Sequence, residues 1–254
     1  SRRCARIVQS IPCIGASRVG VEVSRARLTL AAWAAGLALG AAGAAAADTQ
    51  PEAGDPPLRL LRSEVVAIGA SSVTNRPAPA YRLPLELVVV AGSGWSVARI
   101  VAAARQAGTI LGQCGIDVGP ARLSEIDGPP RFRFLQSRAS RELARRVNPG
   151  RPALFFVADT LQRPAFDAEA IGRANSRTRA EMADTVWITA SARDVPIVIA
   201  HELVHVLADS GEHSAEEANL MRDETAPANV RLTGAQCRAI VSRASQNGLL
   251  RRAP

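Results

Sequence analysis

Residues 196–207, which read PIVIAHELVHVL, constrain the fold of this chain more than any other segment. Apolar residues dominate the segment, which is typical of a helix buried in a protein core. Such a helix would carry His201, Glu202 and His205 towards the core, and these groups are costly to bury without partners. A fold that contains this helix must therefore supply a partner for the three side chains.

The spacing of the two histidines favours a metal ion as that partner. His201 and His205 stand at positions i and i+4 on one face of a helix, so both imidazoles can reach one Zn²⁺ ion. Glu202 follows the first ligand, and from there its carboxylate can approach a water on the metal rather than the metal itself. The pattern predicts a zinc site in which Glu202 is the general base and acid of a hydrolysis.

The third zinc ligand must come from outside this pair, because catalytic zinc sites normally have three protein ligands and a water. His213 is the only other histidine of the chain. Gly211 favours the end of the helix and a turn that brings His213 back towards the metal. We therefore predict His213 as the third ligand. The alternatives are nearby acids, first Asp209 and then the more distant Glu216 and Glu217.

These residues resemble the motif of the metzincin-like zinc metallopeptidases. That motif is H-E-x-x-H-x-x-G-x-x-H, followed by a methionine-containing turn under the metal. Residues 201–205 match its first part, Gly211 and His213 its second, and Met221, in the run Asn-Leu-Met, its methionine. The resemblance implies a zincin-like domain that hydrolyses peptides or proteins, with Met221 as an apolar floor. It also implies a strand that pairs with extended substrate at the edge of the sheet, which would be residues 187–189 here.

Two features depart from the family motif. His205 and His213 are separated by seven residues instead of five, so the helix must run longer or the turn must bulge. Some members have a tyrosine just after the methionine that assists the transition state, whereas Arg222 follows here and Tyr81 is the only tyrosine. No residue here is expected to assist the transition state in this way, unless Tyr81 or an arginine does so. Both departures favour an alternative function, a secreted zinc-binding domain with little or no peptidase activity.

The N-terminal region has the layout of an export signal. Residues 24–47 combine a basic start at Arg25 and Arg27, an uncharged apolar run, and small residues that end in an A-x-A pattern. This layout predicts a secretory signal peptide cleaved near Ala47, and hence a bacterial protein of the periplasm or the extracellular space. The run is rich in Ala and Gly, so no stable membrane anchor is expected after cleavage. Residues 1–23 are interpreted as a non-native leader.

The net charge of +8 indicates less about partners than it first suggests. Removal of residues 1–47 would take away six arginines and one glutamate, which lowers the charge to +3. That value is ordinary for a soluble domain. The remaining arginines do not form a cluster interleaved with aromatic residues, so nucleic acid is not an expected partner.

Two cysteines, Cys114 and Cys237, remain after the predicted signal. An exported protein can keep a disulfide, which would tie the end of an early helix to the C-terminal helix. The chain has no C-x-x-C motif, so the sequence supports neither a redox motif nor a cysteine-type zinc site.

The remaining pattern predicts one α+β (α/β-like) domain over residues 81–254, with a mixed sheet, because strand and helix signals alternate. Residues 48–80 are rich in Pro and Ala and are interpreted as an extension or a propeptide, with one strand at 62–70. Thr233 and Gln236 form a capping-box pattern that opens the C-terminal helix. The expected strands are 83–91, 116–126, 153–158 and 185–190, and the other helices are 95–113, 137–147 and 196–207.

Overall fold

The computed structural model describes residues 54–69, 78–160, 170–173 and 179–253. The predicted leader and signal peptide lie outside these residues. The helices are α1 (Val97–Leu111), α2 (Ser137–Val147), α3 (Val195–Ala208) and α4 (Gly234–Gln246). The strands are β1 (Arg59–Val66), β2 (Tyr81–Leu83), β3 (Glu86–Val90), β4 (Ile116–Val118), β5 (Ala121–Asp127), β6 (Phe134–Leu135), β7 (Ala153–Val157), β8 (Asp159–Thr160), β9 (Ala170–Arg173), β10 (Thr185–Thr189) and β11 (Arg251–Arg252).

A six-stranded mixed sheet forms the centre of the fold, in the order β1-β5-β3-β7-β10-β9. The four inner strands run parallel, and the outer strands β1 and β9 run antiparallel to their neighbours. Helices and strands alternate along most of the chain. The prediction of a mixed α+β domain is therefore confirmed.

Two of the inner strands, β7 and β10, are buried along their whole length. Their sequences, ALFFV and TVWIT, are continuous apolar or β-branched runs, as expected for parallel strands that are covered on both faces. Leu154 and Ile188 face a core that includes residues of α1, α3 and α4. Phe155 and Trp187 face a second core with α2, and their rings stack with centroids 4.2 Å apart. Helix α3 therefore packs on one face of the sheet together with α1 and α4.

The predicted strand 116–126 is wrong as a single element. The structure divides it into β4 and β5, which belong to different sheets. Gly119 and Pro120 lie at the division, and Pro120 has no N–H group to donate to a continuous ladder. β4 instead pairs with β2 in a small three-stranded sheet that also contains β11.

The placement of residues 187–189 at the edge of the sheet is also wrong. Their strand, β10, pairs with β7 on one side and with β9 on the other. Trp187 is fully buried, which fits an inner strand. The edge on this side is formed by β9, which has no strand partner on its outer side among the described residues.

Part of the Pro- and Ala-rich segment belongs to the sheet, because β1 pairs antiparallel with β5. The propeptide role of residues 48–80 stays a prediction. At the other end of the chain, Thr233 caps α4 and Gln236 completes the capping box, as the sequence indicates. Cys114 and Cys237 form a disulfide between the end of the α1 region and α4. None of the helices in the described part of the chain is long and apolar enough to cross a membrane.

Candidate metal centre

Helix α3 carries the candidate site. Its sequence suits a position in the core at almost every residue. Pro196 lies in its first turn, where a missing N–H group is tolerated. Apolar side chains are buried on all sides of the helix, and His201 is buried with them, at 4% exposure. Glu202 and His205 are half-buried. The helix thus holds two imidazoles and one carboxylate at the boundary between core and solvent.

Three imidazole nitrogens converge at this boundary. The Nε2 atom of His205 lies 3.0 Å from Nε2 of His201 and 3.2 Å from Nε2 of His213. The three side chains can supply one ligand atom each within 4.8 Å of one another. Tetrahedral zinc with bonds of about 2.0–2.1 Å to nitrogen would place its ligand atoms about 3.3 Å apart. The spacing of the three nitrogens therefore fits a single metal ion.

The second nitrogen of each imidazole also has a partner. Nδ1 of His201 lies 2.8 Å from the Leu220 carbonyl oxygen, and Nδ1 of His205 lies 2.8 Å from the Ser210 carbonyl oxygen. A carbonyl oxygen only accepts, so each Nδ1 donates its hydrogen and each Nε2 keeps a lone pair. Lone pairs that face each other at 3.0 Å repel, unless a cation lies between them. Partners of this kind are those that orient metal-binding histidines in proteins.

Burial keeps the two helical imidazoles neutral. Desolvation lowers the pKa of His201 to about 4, although the hydrogen bond to Leu220 opposes this effect. Desolvation also lowers the pKa of His205, against the opposing hydrogen bond to Ser210. Neutral imidazole is the form that binds a metal. The core position of α3 therefore supplies both histidines in the state that a metal requires at neutral pH.

The turn after α3 accommodates the long spacing between the second and third histidines. The helix ends at Asp209, which adopts a left-handed conformation with φ of 49°. We expected Gly211 to end the helix, but the reversal comes two residues earlier, because aspartate tolerates this conformation better than most residues. The early reversal places the Ser210 carbonyl against His205. The turn therefore places a backbone carbonyl behind the second of the three histidines.

The acids considered as alternative ligands do not join the cluster. Asp209 is exposed at the end of α3, and it is not part of the group of potential ligands formed by the histidines. Glu216 accepts a hydrogen bond from Asn219 at 3.3 Å, and Glu217 is exposed. The geometry therefore favours His213 over all three acids as the third ligand.

One residue of the site escaped the sequence analysis. Asp223 lies 2.8 Å from Nδ1 of His213, so its carboxylate accepts a hydrogen bond from the third imidazole. Each of the three imidazoles thus has a hydrogen-bond acceptor at Nδ1, which is a carbonyl group for two of them and a carboxylate for the third. The only signal in the sequence was an acid two residues after Met221. Spacing alone could not identify His213 as its partner, because the turn between the two residues brings them together.

Met221 is buried, and its backbone is tied to the segment that carries the third histidine. Its side chain is buried in the core that also contains α3. Its backbone carbonyl accepts a hydrogen bond from the Ser214 N–H at 2.6 Å, which ties this turn to the residue after His213. Tyr81, in contrast, lies in β2 and lines a cavity with Val241 and Leu250. The structure places Tyr81 with α4 rather than with the histidine cluster.

Comparison with known proteins finds similarity to solved structures but not to known families or curated sequences. No protein-family model and no curated protein sequence matches this chain. The chain is similar to the crystal structure of metalloproteinase-II from Bacteroides fragilis, with 17% sequence identity and a TM-score of 0.46. The match covers 70% of this chain and 57% of the length of that protein.

Proposed function

We propose that this chain is an exported zinc-dependent metallopeptidase. The observation that carries the proposal is the convergence of three Nε2 atoms, from His201, His205 and His213, at zinc-like spacing. Glu202 follows the first of them on α3 at the border of the core. Three imidazoles with a neighbouring glutamate form the donor set of a hydrolytic zinc site.

The proposed roles follow from the position of each side chain. The three histidines would hold the ion, which when bound supplies Lewis-acid chemistry to a water and to the scissile carbonyl. Glu202 accepts the proton of the attacking water while the oxygen of that water bonds to the carbonyl carbon. The same carboxyl group then delivers that proton to the amide nitrogen as the C–N bond breaks. Met221 provides an apolar floor and makes no chemical step.

The proposed substrate is an extended peptide or protein segment. Strand β9 forms one edge of the sheet and contacts α3, the helix that carries the cluster. An edge strand can bind an extended peptide by adding it to the sheet through main-chain hydrogen bonds. We therefore assign substrate pairing to β9, in place of the buried residues 187–189.

The test of this function is hydrolysis of a mixed peptide library by the zinc-loaded protein. We expect cleavage that a chelator abolishes and added Zn²⁺ restores. Glu202→Ala should keep the zinc content and lose activity by about 10²–10⁴-fold, because it removes the general base. Glu212→Ala, an exposed acid near the site, is the matched control and should retain activity. Turnover by Glu202→Ala at full zinc content would contradict the mechanism.

A second function is favoured by the position of Tyr81 in β2, where it packs away from the histidines. Without a tyrosine at the site, the chain would be a secreted zinc-binding domain with little or no peptidase activity. This alternative predicts stoichiometric zinc binding with no chelator-sensitive cleavage of any peptide in the library. The same library experiment therefore separates the two functions.

Export is supported by two observations. The signal-like pattern of residues 24–47 lies in the sequence, and the Cys114–Cys237 disulfide lies in the domain. Disulfides persist mainly in oxidising compartments. Fractionation of the source cells, with detection of the oxidised protein in periplasm or medium, tests the proposed location.

A further inference from the structure

The Leu220 carbonyl, which accepts the hydrogen bond from His201, belongs to a segment with few buried apolar side chains. Leu220 and Met221 are buried, but the chain around them runs through turns rather than through a helix or a long strand. The position of the Leu220 carbonyl therefore depends on the hydrogen bonds that hold this segment. Those bonds converge on Asn219, the preceding residue.

Asn219 is a buried amide with all of its hydrogen-bonding groups engaged. Its Oδ1 atom accepts the Met221 backbone N–H at 2.9 Å and the Gln236 side-chain N–H at 3.1 Å. Its Nδ2 atom donates to Gln236 Oε1 at 3.1 Å and to Glu216 at 3.3 Å. The two amides of Asn219 and Gln236 thus bind each other reciprocally, which fixes the orientation of both.

Gln236 connects this pair to the first turn of α4. Its Oε1 atom also accepts the backbone N–H of Thr233 at 2.8 Å, so one side chain serves both the capping box and Asn219. Its neighbour Cys237 is joined to Cys114 by the disulfide. Next to Cys114, Gln113 donates to the Val230 carbonyl at 2.6 Å and accepts the Leu232 N–H at 3.2 Å.

The two glutamines therefore hold the segment 218–232 from both ends. Gln113 binds its later part, and Gln236 binds Asn219 in its earlier part. Backbone hydrogen bonds join the two parts, from Leu220 N–H to the Arg231 carbonyl at 2.8 Å and from Arg231 N–H to the Ala218 carbonyl at 2.9 Å. The Leu220 carbonyl is thereby fixed against His201.

We propose that Asn219 and Gln236 are positioning residues, which orient the Leu220 carbonyl and so keep His201 in the tautomer that presents Nε2 to a metal. The inference rests on the proposed metal site but not on peptide hydrolysis. Loss of a group that directly supports a metal-binding histidine commonly lowers metal affinity by about 10–100-fold, and removal of the amide pair should displace such a group, the Leu220 carbonyl.

The test compares two variants that disturb the first turn of α4 in different ways. Gln236→Met has nearly the shape of glutamine but removes both bonds to Asn219. Thr233→Ala removes the helix cap but leaves the pair of amides intact, which makes it the matched control for helix stability. For each protein we would measure the Zn²⁺ dissociation constant by competition with a chelator. In the metal-free protein, NMR would detect the His201 Nδ1–H signal.

For Gln236→Met we expect a dissociation constant about 10–100-fold higher and a weakened His201 Nδ1–H signal. For Thr233→Ala we expect a constant within about threefold of wild type and an unchanged signal, since the amide pair is intact. Equal losses in the two variants, or wild-type values in Gln236→Met, would overturn the proposal. If Gln236→Met does not fold, Gln236→Glu keeps the capping acceptor and replaces the N–H donated to Asn219 with a carboxylate oxygen that repels Asn219 Oδ1. Wild-type zinc affinity in that variant would equally overturn it.

These readouts separate this inference from the proposed function. Normal zinc binding without peptide cleavage in the wild-type protein would contradict the peptidase and leave the comparison of variants valid. Peptide cleavage by the wild type, together with an unchanged His201 Nδ1–H signal in Gln236→Met, would support the peptidase and overturn the positioning role.

Discussion

The Nε2 atoms of His201 and His205 lie 3.0 Å apart, while the Nδ1 atom of each imidazole faces a carbonyl oxygen at 2.8 Å. Both lone pairs therefore point towards one place, where a cation can offset their repulsion. His213 presents its own Nε2 at 3.2 Å from that of His205. The arrangement makes a metal site the simplest physical account of a core helix that carries these residues.

The third ligand can be tested by comparing two substitutions in the turn after α3. His213→Ala should weaken zinc binding by more than about 100-fold, because a site with two protein ligands is incomplete. Asp209→Ala should leave the affinity within about threefold of wild type, since Asp209 is outside the cluster. Competition with a chelator measures both. Unchanged affinity in His213→Ala would remove His213 from the site. A large loss of affinity in Asp209→Ala would indicate that Asp209 binds the metal.

The role of Met221 can be separated into packing and chemistry. Met221→Leu keeps most of the buried volume, so we expect a loss of less than about 1.5 kcal/mol in the free energy of unfolding. Met221→Ala leaves a cavity and should cost about 2–5 kcal/mol. Zinc affinity in Met221→Leu should match wild type, because the thioether does not bind the ion. Denaturant unfolding and zinc titration of the two variants check this, and a large loss of affinity in the leucine variant would contradict a purely apolar floor.

The disulfide joins residues 123 positions apart and should contribute strongly to stability. Cross-links that close long loops restrict the unfolded chain, and removal of a native one costs roughly 2–5 kcal/mol. The double variant Cys114→Ser with Cys237→Ser should therefore unfold at a clearly lower urea concentration than the oxidised wild type. The reduced wild type serves as control and should resemble the double variant. A double variant as stable as the oxidised protein would show that the bond is not needed for the fold.

The ion pair between Arg141 and Glu181 predicts a pH-dependent contribution to stability. The hydrogen bond from Arg141 lowers the pKa of Glu181 in the folded protein. A lowered carboxyl pKa contributes stability above the unfolded value near 4.5, which is lost as the pH falls through the folded value. Arg141 is exposed while Glu181 is partly buried, so solvent screens the pair and Arg141→Met should cost only about 0.2–1 kcal/mol at neutral pH.

When the pH falls from neutral to below the folded pKa of Glu181, this difference between Arg141→Met and wild type should shrink towards zero. Arg138→Met removes an exposed arginine from the same helix and is the control for nonspecific charge effects. Urea unfolding at the two pH values measures the effect. A cost for Arg141→Met that is the same at both pH values would contradict the ion pair as its source.

The sequence predicted those parts of the molecule whose signals are local. The apolar run of α3, the i and i+4 histidines, the buried strands β7 and β10, and the capping box of α4 all depend on residues close in the chain. The Cys114–Cys237 pair was also predictable, because only two cysteines follow the predicted export signal. These features do not require knowledge of how distant segments meet.

The features that were missed depend on distant contacts. The edge strand β9 has the sequence AIGR, too short and too mixed to indicate a strand before its pairing with β10 is known. The capping box revealed one partner of Gln236, whereas its second partner, Asn219, is 17 residues away and comes close only when α4 docks. The carboxylate of Asp223 likewise meets His213 only through the turn between them.

The most direct test of the account is zinc K-edge X-ray absorption of the zinc-loaded wild-type protein beside its His213→Ala variant. The account predicts three imidazole nitrogens at about 2.0–2.1 Å from zinc in the wild type, and one fewer in the variant. A wild-type spectrum with two or fewer imidazole ligands, or a ligand set that His213→Ala does not change, would contradict the three-histidine metal centre.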